Sequence, residues 1–213
     1  MGINVFINYY HPASTRRAAE IDACYTQWMH NGSVDKRIVL AEPAASPPQS
    51  PDRAINASAR PLVREYFDAV NAVSSADDVN IVSNSDCFLA EDDTLKVAAI
   101  SHDIAYCLSR IEIKSIDPLR RFWWRNRYLQ RKHATDSQDC WVIRGRPRQG
   151  MMLEFPLGMP GCDNRLAHEL QQAGYCIVNP APRLKLYHFH RCQNQTFRET
   201  DRIPGPYAFP KNL

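Results

Sequence analysis

The sequence predicts an α/β protein: a mostly parallel central sheet flanked by helices, in a single domain over 1–213. Short β-branched apolar runs, Ile3-Asn4-Val5-Phe6-Ile7-Asn8, Arg37-Ile38-Val39-Leu40-Ala41 and Val79-Asn80-Ile81-Val82-Ser83, alternate with helix-like segments through the first half. Polar residues stand at or just beyond the C-terminal ends of such runs: Asn8, Glu42, Asn84 with Asp86, and Arg110. Open α/β sheets bind their ligands there. Composition agrees, since 44% hydrophobic and 23% charged residues are ordinary for a globular chain whose 213 residues suit one core.

The elements follow in order. The first run is too short for a helix and reads as a buried strand. His11-Pro12 breaks it, and Ser14 suits the N-cap of a helix reaching about Met29 and ended by Asn31-Gly32. The second strand delivers Glu42. Five prolines over 43–61 predict a long irregular connection, a candidate flap beside the strand ends. Pro61 begins a helix through Tyr66, Phe67, Val70 and Val73, and Asp77-Asp78 turns the chain into the third strand. A helix is expected near 94–99 and strands over 104–109 and 140–143. Asp163 opens a helix that Gly174 closes in the C′ position. Strands over 176–178 and 184–188 precede an irregular Pro-rich tail, 191–213.

Charge and cysteine usage narrow the function classes. Lys and Arg total 26 against 23 Asp and Glu, a net +3 that argues against a nucleic-acid partner. Residues 115–135 interleave Arg120, Arg121, Arg125, Arg127 and Arg131 with Phe122, Trp123, Trp124 and Tyr128. That stretch would stack on sugar or base rings, touch a membrane surface, or form a core-facing aromatic cluster with a basic rim. No apolar run approaches the roughly 20 residues of a membrane span, and no charged n-region opens the chain. The 7 cysteines contain no Cys-x-x-Cys pair, so buried free thiols in a reducing compartment are expected. The expected location is cytoplasmic, with peripheral contact at the inner membrane face through the basic aromatic stretch. In that setting the sequons at Asn31, Asn56 and Asn194 are chance occurrences.

Three motifs carry chemistry. Asn84-Ser85-Asp86 places two oxygen-bearing side chains at i and i+2 after a buried strand, which suits a hard cation with phosphate oxygens or, equally, an Asx-turn. His188 and His190 fall on one side of an extended segment, as metal ligands, as phosphate donors, or as a half-exposed strand face. Asp163 stands at the lip of a Gly/Pro loop, as an N-cap or as a general base.

Taken together, the strand-ending Asn84-Ser85-Asp86, the run Gly158-Met159-Pro160-Gly161-Cys162-Asp163-Asn164-Arg165, then Ala173-Gly174-Tyr175 through Asn179-Pro180, and Tyr187-His188-Phe189-His190 resemble GT-A-fold glycosyltransferases. The order resembles the family-two type of bacterial polysaccharide synthesis and covers about 3–190. The resemblance implies a nucleotide-sugar donor, a glycan or lipid-linked acceptor, and a divalent metal, Mn²⁺ or Mg²⁺. Asp86 matches the better-kept carboxylate of the Asp-x-Asp element and would hold that metal, with His188 and His190 beside it. Asn8, Glu42, Asn84, Asp86 and Arg110 would line the donor side, with Glu42 where the family carries a nucleobase-contacting Asp. Asp163 would deprotonate the acceptor hydroxyl in an inverting transfer. Ser137-Gln138-Asp139-Cys140-Trp141 resembles a Ser-Gln-Asp-x-Trp signature and puts Asp139 and Trp141 on the acceptor side. The sequence departs from the family at Asn84, where the first carboxylate stands, and at Cys162, where a Glu precedes the Asp. A non-catalytic nucleotide- or carbohydrate-binding module on the same scaffold is the competing expectation.

Overall fold

The computed structural model describes residues 1–116, 136–181, 183–191 and 197–213. Phe122, Trp123, Trp124 and nearly all of the basic aromatic stretch, together with Cys192 and Asn194, lie outside the described residues.

An eight-stranded sheet forms the centre of the α/β fold, in the order β11-β9-β6-β8-β4-β1-β2-β3. Its strands are β1 (Ile3–Tyr9), β2 (Lys36–Ala41), β3 (Arg53–Asn56), β4 (Val79–Ser83), β6 (Ile104–Leu108), β8 (Cys140–Arg144), β9 (Cys176–Asn179) and β11 (Lys211–Asn212). All pairings are parallel except those of β8, which runs antiparallel to both β4 and β6. The inner strands are buried on both faces, which is why Val5-Phe6-Ile7 and Ile38-Val39-Leu40 are continuously apolar.

The alternation within those runs feeds two cores. Val5, Ile7, Val39 and Ile81 pack beneath Ile21, Cys24, Tyr25 and Trp28 of α1 (Thr15–Met29). Phe6, Ile38, Leu40 and Val82 pack on the other face against α2 (Val63–Val73) and α4 (Cys162–Gln172). Ser14 caps α1, its hydroxyl accepting from the Arg17 amide. Trp28 Nε1 donates to the Cys87 carbonyl at 2.9 Å and pins α1 to a second, three-stranded sheet. That sheet has the order β5-β10-β7, from β5 (Cys87–Leu89), β10 (Leu186–His188) and β7 (Arg110–Glu112). The short α3 (Glu91–Lys96) follows β5.

Several expectations are corrected. The 43–61 connection is not wholly irregular, because β3 within it pairs parallel to β2. β10 leaves the main sheet for the small one, and the tail contributes β11 beside β9. The helix expected near 94–99 starts at Glu91 and ends as a 3₁₀ turn over Val97–Ala99. Asp163 is not an N-cap. Gly161 takes that position at φ 79°, and a Cβ there would meet the Tyr207 hydroxyl at 2.9 Å and the Ile203 carbonyl at 3.1 Å. Cys176 is exposed, whereas the other described cysteines are buried free thiols. The Asn31 side chain is spent inside the protein, donating to the Leu89 carbonyl and to Thr94 Oγ1. No helix among the described residues is long and apolar enough to cross a membrane.

Candidate functional site

The chain leaves β1 for β2 on one side and returns to β4 on the other, so the strand order reverses between β1 and β4. The crevice beyond the carboxyl ends of the strands at such a reversal is the natural ligand position. Asn8 and Asp86 both stand at this reversal.

Asp86 sits in a tight turn after β4, closed by the Cys87 amide donating to the Asn84 carbonyl. Its Oδ2 accepts from Arg17 Nη2 at 2.5 Å and lies 3.0 Å from His188 Nε2 and 3.9 Å from His190 Nδ1. His188 is only 3% exposed, and its Nδ1 meets Glu112 Oε2 at 2.6 Å. Burial alone would raise the Asp86 carboxyl, but His188 and Arg17 overcome it and hold the group far below the usual carboxylate range. Burial works against a charged His188 as well, yet Asp86 and Glu112 push its imidazole up to about 9. Against its own burial, Glu112 is held down at about 2 by His188 and Arg110.

Asp86, His188 and His190 each offer one ligand atom, and the three atoms lie within 4.8 Å of one another. Glu112 on the far nitrogen of His188 is the carboxylate partner that metal-ligating imidazoles ordinarily have. A set of two imidazoles and one carboxylate is compatible with a divalent metal, provided that His188 gives up the proton on Nε2, which faces Asp86.

A hydrogen-bonded chain runs from this centre along the sheet edge. Arg110 donates to Glu112 Oε1 at 2.9 Å and forks onto both oxygens of Asp139 at 2.8 Å. Asn84 Nδ2 donates to Asp139 Oδ1 at 2.8 Å, and its backbone amide to the Asp139 carbonyl at 3.0 Å. The next residue back, Gln138, donates its backbone amide to Asp163 Oδ2 at 3.1 Å. Gln138 Nε2 reaches Asn164 Oδ1 at 3.1 Å, which seats the 136–139 segment on the first turn of α4.

Asp163 differs from Asp86, Glu112 and Asp139, each of which is ion-paired. No cationic side chain among the described residues forms an ion pair with it. Burial is the main cause that pushes its carboxyl up to about 6; Asp139 adds to the rise, and backbone amides of Asn164 and Gln138 oppose it. On the opposite flank, Asn8 Nδ2 donates to Glu42 Oε1 at 2.9 Å, and the Ser85 hydroxyl donates to Asn8 Oδ1. Burial raises the Glu42 carboxyl, against the pull of Arg60 and Asn8.

Asn8, Glu42, Asn84, Asp86, Arg110, Asp139, Asp163, His188 and His190 thus share one edge of the molecule. Trp141 does not. Its ring is 1% exposed within the core between Val82 and Cys107, so it has no surface for an acceptor, which corrects its expected placement. Arg17, Glu112 and Gln138 join these residues only in the folded protein. Gln138 lies in the legible run Ser137-Gln138-Asp139, but Arg17 and Glu112 carry no local signal, because their partners lie 69 and 76 residues away.

No protein-family model matches the chain, and no curated protein matches it. Among solved structures, one similar chain is 4-diphosphocytidyl-2C-methyl-D-erythritol synthase from Anaerococcus prevotii, at 13% identity. The likeness covers 67% of this chain and 71% of that one with a TM-score of 0.42, too slight to bear on function.

Proposed function

We propose that this protein is a glycosyltransferase that moves a sugar from a nucleotide-diphosphate donor to a hydroxyl of a glycan or lipid-linked acceptor, with inversion. The observation that carries the reading is Asp163: a carboxyl pushed up to about 6, with no paired cation among the described residues, at the same sheet edge as the Asp86 centre. Burying an uncompensated carboxylate costs stability, and such groups mark sites where a proton must be moved.

Asp163 takes the proton of the acceptor hydroxyl as its oxygen bonds to the anomeric carbon. The bond from that carbon to the donor phosphate breaks, and the diphosphate leaves with the electron pair. Glu42 and Asn8 hold the nucleoside beyond β2 and β1. Asp139, locked by Arg110 and Asn84, keeps the 138–139 segment in place so that the Gln138 amide orients Asp163. A divalent ion on Asp86, His188 and His190 would neutralise charge developing on the departing diphosphate. The mixed nitrogen and oxygen donor set suits Mn²⁺ better than Mg²⁺, which prefers oxygen ligands alone. The 26 to 23 balance of basic and acidic residues leaves nucleic acid outside the partner set, and peripheral attachment at the inner membrane face would bring a lipid-linked acceptor to the edge.

The test is turnover of a panel of nucleotide sugars by purified protein with Mn²⁺, beside Asp163→Asn. The variant is expected to lose transfer while keeping donor affinity. Undiminished turnover removes Asp163 from the base role. Metal-dependent nucleoside diphosphate binding without turnover by the wild type points to the non-catalytic binding module instead.

A further inference from the structure

The cation nearest Asp86 is neither histidine but Arg17, from the first turn of α1. We propose that Arg17 stands in for the metal: it neutralises Asp86 in the free protein, is displaced from that oxygen when the divalent ion enters, and then binds the donor diphosphate. This rests on the metal-dependent reading given above.

The geometry points to competition for one atom. Arg17 Nη2, His188 Nε2 and His190 Nδ1 all face Asp86 Oδ2, while Oδ1 meets the Cys87 thiol at 3.6 Å. A divalent ion sits about 2.1 Å from a carboxylate oxygen in sites of this kind. A guanidinium nitrogen 2.5 Å from the same oxygen occupies that approach and repels the ion at close range. The ligand atoms are gathered, but the opening is held by a positive charge.

Displacement needs little motion. The other arm of the guanidinium, Nη1, donates to Glu20 Oε2 at 3.1 Å. Glu20 is 2% exposed, and its Oε1 accepts from the Arg191 amide at 2.7 Å, so it is a fixed tether. Arg17 therefore pivots about Glu20 without leaving the site. The anion it meets is the one the arriving ion brings, a diphosphate in the crevice between β1 and β4. A guanidinium matches two phosphate oxygens in a way that a lysine ammonium does not. It follows that the free protein binds metal weakly by itself, and that metal and diphosphate load together.

The experiment is calorimetric titration of Mn²⁺ into wild-type protein and Arg17→Gln without nucleotide, then of inorganic pyrophosphate at fixed free Mn²⁺. The variant is expected to bind Mn²⁺ at least about tenfold more tightly and pyrophosphate about tenfold more weakly. Arg17→Lys, which keeps the charge, should bind Mn²⁺ within a few-fold of wild type. A folded Arg17→Gln that binds Mn²⁺ no better than wild type overturns this proposal and leaves the metal reading standing. Absence of Mn²⁺ binding in both proteins overturns the two together. Should Arg17→Gln lack a cooperative melt, the wild type decides by NMR with diamagnetic Zn²⁺. The Arg17 Nε–H resonance should move with those of His188 and His190, and an Arg17 signal that stays put while the imidazoles shift defeats the proposal.

Discussion

Asp86 and Asp163 occupy the same edge of one sheet, and their surroundings drive them in opposite directions. Asp86 is compensated by Arg17 and His188, and His188 in turn by Glu112, so its carboxyl is held ionised. Asp163 receives backbone amides but no ion-paired cation among the described residues, and burial lifts it to about 6. Carboxylates pushed apart in this way divide the labour of a site. The compensated one suits binding of charge, and the uncompensated one suits taking and giving a proton.

The largest expected effect tests the second half of that contrast. Asp163→Asn should lower transfer by about 10³-fold, within the range typical of a general base. In the wild type, kcat/KM should rise with pH up to about 6 and level above it, since the base must be deprotonated. A flat profile from pH 5 to 8 in a site-bound assay would place the proton transfer elsewhere. Asp86→Ala should destabilise the fold by about 3 kcal/mol in urea titration, because it removes the carboxylate that Arg17 and His188 share and leaves them only Glu20 and Glu112. A cost under about 1 kcal/mol would mean that Asp86 is not the hub of the network.

A smaller effect of opposite sign sharpens the comparison. A carboxyl moved from 3.8 to about 6 makes folding costlier by roughly 2–3 kcal/mol once it is ionised in both states. The folded value is the higher one, so this stability is present at low pH and lost as pH rises through about 6. Asp163→Asn should therefore be more stable than wild type at pH 8 by about 2 kcal/mol, and close to it near pH 4. Denaturation midpoints at the two pH values check this, and a variant less stable at pH 8 would show that the carboxylate is compensated after all. Smallest is Ser14→Ala, expected to cost about 1 kcal/mol through the lost cap of α1. It should leave the Asp163 pH profile unmoved, since α1 carries Arg17 and not the acid.

Much of the architecture is legible in the chain itself. β1, β2 and β4 show as β-branched apolar runs because burial on both faces demands them, and α1 shows through Ser14 and its apolar spacing. β3 was not legible, because Arg53-Ala54-Ile55-Asn56 is a largely exposed edge strand with no apolar run to signal it. The three-residue β5 and β7 were missed for a related cause: they exist through pairing with β10, about a hundred residues from β5. The direction of β8 left no trace either, since Cys140-Trp141-Val142-Ile143 would be as apolar in a parallel strand. Trp141 was misplaced because a motif shows its nearness to Asp139 in the chain but not that β8 is an inner strand, pairing with β4 and β6 and burying the ring beside Val82 and Cys107.

By itself the sequence determined the α/β alternation, the polar strand ends, and the presence of Asp86, Asp163 and the paired histidines as chemically capable groups. Those depend on local periodicity, capping and side-chain type, which the chain displays directly. Only the tertiary structure decided which groups compensate one another: Arg17 on Asp86, Glu112 on His188, Arg110 on Asp139, and no paired cation on Asp163 among the described residues. The reason is electrostatic. A carboxylate's behaviour is governed by charges and burial within a few ångströms, and here the folded sheet edge collects those charges from segments far apart in the chain.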